Sequence, residues 1–195
     1  MTDRAVYVVR HGRTALNASG VIRGRTDVPL DGTGIREARA LGELFTGVAI
    51  ARVITSPLGR AVRTAEAIGS GTGAPLIEDP RLLDRDYGPW EGRPEQEVLA
   101  LLLEAGSLAG IEPEVEVGRR ARRALEDRFE HEEQGGIVLV AHLAVNRSLL
   151  VDLVPSLGDP GALPQPTGCW SLVQRSEQGW TAPVIGAVPG DGRLP

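Results

Sequence analysis

Short apolar runs bounded by turn and capping residues recur at positions 5–9, 52–55, 75–77, 137–141, 170–173 and 181–188, and each has the length and composition of a strand. Between them lie stretches with apolar residues three and four apart, the period of a helix that buries one face. Positions 33–45 carry Ile35, Ala38, Leu41, Leu44 and Phe45 in that spacing, with Asp31 as the cap. Positions 57–70 present Ala61, Thr64, Ala65 and Ile68 on one face, with Ser56 as cap and Pro57 at the first helical position. Further helices are expected over 95–104, 117–132 and 143–153. Strands alternating with helices predict a single α/β domain, a three-layer α/β/α sandwich around a mostly parallel central sheet. The stretch 79–113 breaks the alternation with Gly, Pro and charge and is expected to form a small lid; the Gly- and Pro-rich 186–195 is expected to be a loose tail.

Ligands of such sheets sit outside the carboxyl ends of the strands. Three polar clusters fall there: Arg10-His11 after the first strand, Ser56 and Arg60 after the second, His142 after the fourth. Taken singly, each has a structural alternative: an exposed Arg60 on an amphipathic helix, a core histidine at 142, a helix cap at Ser56. Together they bring two imidazoles and two guanidinium groups to one sheet edge. Imidazole can attack phosphorus, guanidinium can hold phosphate oxygens through paired hydrogen bonds, and Gly12 would let the backbone approach a ligand closely.

Composition narrows the choice of partner. The net charge of −5 speaks against a nucleic-acid binder, which wants a basic surface, but not against a small anionic substrate. All 21 basic residues are Arg, which excludes a catalytic lysine. The single cysteine, Cys169, has no disulfide partner in the chain and reads as a small buried apolar residue. No window approaches a membrane span and the N-terminus lacks the apolar run of a signal peptide, so a cytoplasmic location without membrane contact is expected. His131, among acidic neighbours, reads as a solvated surface residue, and the run Arg119-Arg120-Ala121-Arg122-Arg123 as a solvated helix face paired with nearby Glu.

The chain resembles the histidine phosphatase superfamily, in its phosphoglycerate mutase-like branch, over roughly the first 150 residues. The resemblance rests on Arg10-His11-Gly12 with Thr14 and Asn17, on Gly24-Arg25-Thr26-Asp27-Val28-Pro29-Leu30 with Gly34, and on Thr55-Ser56-Pro57-Leu58-Gly59-Arg60-Ala61 with Thr64-Ala65. Tyr87-Gly88-Pro89-Trp90-Glu91-Gly92 and Val140-Ala141-His142 complete it, in the same order. It implies that His11 is a nucleophile forming a phosphohistidine, with Arg10, Arg60 and His142 on the phosphoryl oxygens and no metal or other cofactor. Asn17, Gly24, Arg25, Tyr87 and the backbone of Leu143 would touch substrate.

Two departures qualify the pattern. Where family members usually carry a glutamate as general acid, four residues before the glycine of Gly-x-Trp-Glu-Gly, this chain has Asp84, one methylene shorter, with Asp86 and Glu91 as competitors. The family's second histidine is commonly followed by two glycines, or by Gly-Asn in the mutases; here Leu143-Ala144 follow, side chains that narrow the pocket. The expected activity is metal-independent hydrolysis of a small phosphorylated metabolite. The alternatives are a 2,3-bisphosphoglycerate-dependent phosphoglycerate mutase and a non-catalytic phospho-ligand-binding protein of the same fold. A mutase wants basic residues in a longer lid, whereas after Arg93 no basic cluster occurs before Arg119. The leucines at 99, 101, 102 and 103 suggest an apolar wall, although packing on the core is preferred as their explanation. The last strand leaves a homodimer open through its edge.

Overall fold

The computed structural model describes residues 4–129, 135–191 and 194. Along the chain run β1 (Arg4–Arg10), α1 (Ala15–Ser19), α2 (Gly32–Leu44), β2 (Ile50–Thr55), α3 (Gly59–Thr72) and β3 (Leu76–Glu78). They are followed by α4 (Glu95–Ala105), α5 (Glu114–Phe129), β4 (Gly136–Ala141), α6 (Leu143–Leu153), β5 (Trp170–Ser176) and β6 (Gly179–Ala187). His131 lies outside the described residues. No described helix is long and apolar enough to cross a membrane.

The strands form one sheet in the order β3-β2-β4-β1-β5-β6. β3, β2, β4 and β1 are parallel, and β5 and β6 add antiparallel beyond β1. Alternation along the central strands sorts side chains to two faces. Val6 and Val8 of β1, with Ile137, Leu139 and Ala141 of β4, join Val117, Leu125, Leu149 and Leu150 of α5 and α6 in one core. Tyr7 and Val9, with Val138 and Val140, join Leu41, Phe45, Ala61 and Ile68 on the α2 and α3 side. The result is the three-layer α/β/α sandwich.

Asp31 caps α2, its Oδ1 accepting from the amides of Thr33 and Gly34 at 2.8 and 2.9 Å. α3, however, starts at Gly59 with Leu58 in the cap position. The expected cap, Ser56, lies two residues before the cap position, its hydroxyl hydrogen-bonded to His142 (2.8 Å) and accepting from the Leu58 amide (3.3 Å). At the other end of the chain, Gly186 and Ala187 belong to β6 rather than to a loose tail, since Gly186 donates to the Ser171 hydroxyl (3.0 Å) and Ala187 pairs with Trp170.

Gly12 also differs from expectation. It is the α2 backbone, not a ligand, that needs the space: a Cβ at Gly12 would sit 2.4 Å from the Gly34 carbonyl oxygen, and one at Gly34 would sit 2.0 Å from that of Arg13. Two backbones touch here, and neither can retreat without moving the loop that carries His11. Gly34→Ala is expected to cost about 1–3 kcal/mol of stability through overpacking, measured by urea unfolding.

Candidate active site

The register of the central strands sets the site. Arg10 pairs with Ala141 and Thr55 with Val140, so β1, β4 and β2 end side by side. The next residues are His11, His142 and Ser56. The His11 amide donates to the Ala141 carbonyl (3.1 Å), its own carbonyl accepts from Gly168 (3.1 Å), and Gly12 N–H donates to the Thr64 hydroxyl of α3 (3.1 Å). The backbone of His11 is thereby held from three sides.

The rings of His11 and His142 are both fully buried, with centroids 5.1 Å apart. His11 Nδ1 lies 2.6 Å from the Gly12 carbonyl oxygen; a carbonyl only accepts, so Nδ1 carries the proton and Nε2 keeps its lone pair. Burial, then the charges of Arg60 and Arg10, hold the His11 pKa well below the usual histidine value. His142 is lowered in the same sense, by burial first and then by His11 and Arg60. His142 Nε2 is hydrogen-bonded to the Ser56 hydroxyl at 2.8 Å, which leaves its Nδ1 facing the same space.

Arg60, at the start of α3, is fully buried. It donates to the carbonyls of Thr26 (2.9 Å) and Gly24 (2.9 Å) and lies 3.3 Å from Asp84 Oδ2. Arg10 donates to the Gln165 carbonyl, and burial followed by the repulsion of Arg23 lowers its pKa to about 10. Five buried side-chain nitrogens in this region have no partner among the described residues: Arg10 Nε, Arg23 Nε, Arg60 Nε, His11 Nε2 and His142 Nδ1. Their grouping in a cationic hollow is that of a site built for an anion.

Asp84 is the acid that reaches both Arg60 and His142. Its Oδ2 lies 3.7 Å from His142 Nδ1, and burial raises its pKa against the opposing pull of Arg60. The competitors face elsewhere: Glu91 accepts from the Arg25 amide (2.7 Å) and the Thr26 hydroxyl (2.8 Å), and Asp86 pairs with the Arg25 side chain (3.0 Å). Arg120 fixes the backbone leading to Asp84, donating to the carbonyls of Arg81 and Leu83 (2.6 Å each) and Asp84 (3.2 Å) while paired with Glu112 (2.7 Å). It is therefore not part of a solvated face, although Arg119 and Arg122 do pair with Glu116 and Glu126 as expected. The spacing carried this signal: residue 120 lies three after Val117 and four before Ala124, both buried.

The remaining candidates divide. Gly24, at φ +51°, has its carbonyl on Arg60 and no room for a Cβ against Glu91. Asn17 has its side-chain carbonyl on the Thr14 amide and hydroxyl (2.9 Å each), which leaves its NH2 as the donor for a ligand. Tyr87, whose hydroxyl is pushed up to about 12 by burial, and Leu143 line the mouth of the hollow. Arg25 does not reach it, because Asp86 and Glu112 hold its guanidinium at 3.0 and 3.7 Å. Arg23 stands there instead, beside Gly24, Asp84 and Tyr87. Its place next to buried Ile22 in a loop gave no periodicity from which to find it.

Beyond the mouth, past Tyr87, Leu143 and Ala144, opens a cavity of about 580 Å³ walled by Leu99, Leu102, Leu103, Leu108 and Ile111. Val98 is the one buried residue of α4, while Leu99 and Leu103 are 47% and 88% exposed. These leucines form an apolar wall and are not packed into the core, contrary to the preferred expectation. Cys169 is buried, and burial pushes its thiol up to about 12.

The sequence model of the histidine phosphatase superfamily (branch 1) matches residues 6–187. The chain is 34% identical over 180 residues to an uncharacterized phosphatase, PhoE, of Bacillus subtilis, spanning 90% of this chain and 91% of that one. It is 36% identical over 147 residues to the probable phosphoglycerate mutase GpmB of Yersinia enterocolitica, spanning 70% of this chain and 68% of that one. YhfR of Bacillus stearothermophilus superposes with a TM-score of 0.85 at 25% identity, over 95% of this chain and 98% of that one. A structure titled mycobacterial hydrolase 1 shares the fold with a TM-score of 0.87 at 24% identity, over 95% and 99% of the two chains. The ordered motifs, the sheet and these relatives agree: the chain belongs to branch 1 of the histidine phosphatase superfamily.

Proposed function

We propose that the protein is a phosphomonoesterase that transfers the phosphoryl group of a small phosphate ester to His11 and then to water, without a metal ion. The observation that carries this reading is the set of buried nitrogens without partners around a neutral imidazole. His11 Nε2 attacks phosphorus as the ester P–O bond breaks, and the Asp84 carboxyl gives its proton to the departing oxygen. Asp84, now a carboxylate, takes a proton from water as that water attacks the phosphohistidine; the N–P bond breaks and His11 returns to its neutral form. Arg10 Nε, Arg60 Nε and His142 Nδ1 offer three donors to the three transferred oxygens. Each such contact is worth about 10²–10³ in rate.

Asn17, Gly24, Tyr87 and the amide of Leu143 serve as substrate contacts in this reading. Residues 79–113 act as the cover that sets specificity, with the leaving group in the leucine-walled cavity. The mutase-named relatives support transfer between two positions of one substrate as a second reading. Hydrolysis is favoured because the cavity wall is chiefly aliphatic and Arg93 is engaged by Glu97.

Phosphate release from para-nitrophenyl phosphate is expected to persist in excess chelator and to fall at least 10²-fold in His11→Ala. A protein that only binds phosphate esters would release none, and a mutase would release little while isomerising its substrate. Label from a phosphate ester is expected on His11 as an acid-labile, base-stable adduct.

The pH profile follows from two shifts of opposite sign. His11 must be neutral, and its lowered pKa keeps it so to well below pH 6.5. Asp84 must be protonated, and its raised pKa extends the acid form above pH 3.8. In kcat/KM, activity should fall on the acid side as His11 gains a proton and on the alkaline side as Asp84 loses one. Asp84→Asn should remove the alkaline limb and slow alkyl phosphates far more than para-nitrophenyl phosphate, whose leaving group needs little protonation.

A further inference from the structure

Arg23 has no part in the steps above. Among the described residues its guanidinium has no carboxylate, carbonyl or hydroxyl partner, and its Nε is buried. The neighbouring arginines are all engaged: Arg60 with Asp84 and two carbonyls, Arg10 with Gln165, Arg25 with Asp86. An arginine keeps its charge, so a half-buried one left without an anion is held at a cost that a ligand can relieve.

Its position indicates which part of a ligand it meets. The three transferred oxygens are matched by Arg10 Nε, Arg60 Nε and His142 Nδ1, and Arg23 is left over. It lines a narrow mouth of about 40 Å³ with Gly24, Asp84, Tyr87 and Leu143. Tyr87, Leu143, Ala144 and Glu95 continue from that mouth into the larger cavity, and Glu95 is not within ion-pair distance of Arg23. Arg23 thus stands beside Asp84 on the leaving-group side. Its charge is nevertheless felt at both histidines and at Asp84.

We propose that Arg23 is a specificity-determining residue that binds a second anionic group, a carboxylate or a phosphate, carried by the leaving group close to the ester oxygen. The preferred substrates would then be phosphate esters with a further negative charge next to the scissile bond and an apolar body in the leucine-walled cavity. This assignment rests on the phosphomonoesterase reading of the cradle.

The test compares phenyl phosphate with ortho- and meta-carboxyphenyl phosphate and with catechol bisphosphate, in the wild type and in Arg23→Gln. The wild type is expected to favour at least one of the doubly anionic esters by about 10–100-fold in kcat/KM, the range of a charge-assisted hydrogen bond. In Arg23→Gln that preference should vanish, the loss on the favoured doubly anionic ester exceeding the loss on phenyl phosphate by about 10–100-fold, while the thermal midpoint does not fall. Preference for the carboxylates or for the bisphosphate identifies the anion. Equal loss on all four esters would make Arg23 a ligand of the transferred group and overturn the proposal, as would no preference in the wild type. The same series measured as dissociation constants on His11→Ala, with and without Arg23→Gln, decides the matter if nothing is hydrolysed. In that case the phosphatase reading fails, while a tenfold tighter binding that depends on Arg23 would still support the assignment.

Discussion

Burying the Arg60 guanidinium takes a full charge out of water, and the fold compensates by surrounding it with the carbonyls of Gly24 and Thr26 and a carboxyl oxygen of Asp84. Those partners come from two separate parts of the chain, neither of them the helix that carries Arg60. The loop after α1, the start of α3 and the segment after β3 are tied to one another through this single side chain. Where that charge sits also decides the protonation of its surroundings. It depresses the pKa of both histidines and opposes the rise that burial gives Asp84. The lowered pKa of His11 and the raised pKa of Asp84 therefore share one first cause, the desolvation of the hollow, while Arg60 lowers both.

The layered fold was legible in the alternation of short apolar runs with helical spacing, because burial on two faces of a parallel sheet imposes that pattern. The convergence of His11, Arg60 and His142 was legible because strand ends in such sheets lie on one edge. What escaped the sequence depends on competition between contacts. Ser56 looks like a cap by local rules, yet a buried imidazole claims its hydroxyl. Arg25 and Arg23 are equivalent by spacing and by charge. Only the positions of Asp86 and Glu112 draw Arg25 outward and leave Arg23 at the mouth. Gly12 looks like a place for a ligand and is instead the point where two backbones meet.

Arg120 and the leucines of α4 mark the two ways in which periodicity misleads. A charged residue within a run of arginines suggests solvent, although its register with Val117 and Ala124 points inward. There it serves the backbone carbonyls of Arg81, Leu83 and Asp84 itself. The leucines suggest a core, although Val98 is the one fully buried residue of their helix. In both cases the segment between β3 and α5 supplied the missing context, and its own conformation carries little hydrophobic periodicity.

The weak attachment of α4 has a consequence for how the molecule can change. The leucines that α4 gives to the cavity wall, Leu99, Leu102 and Leu103, belong to neither of the two core clusters. Exchanging Leu99, Leu102 or Leu103 for larger, smaller or polar residues reshapes what is admitted while the chemical machinery stays as it is. In the proposed reading selectivity and reactivity are housed in separable parts, so new preferences can arise by drift along one short helix without passing through an inactive form.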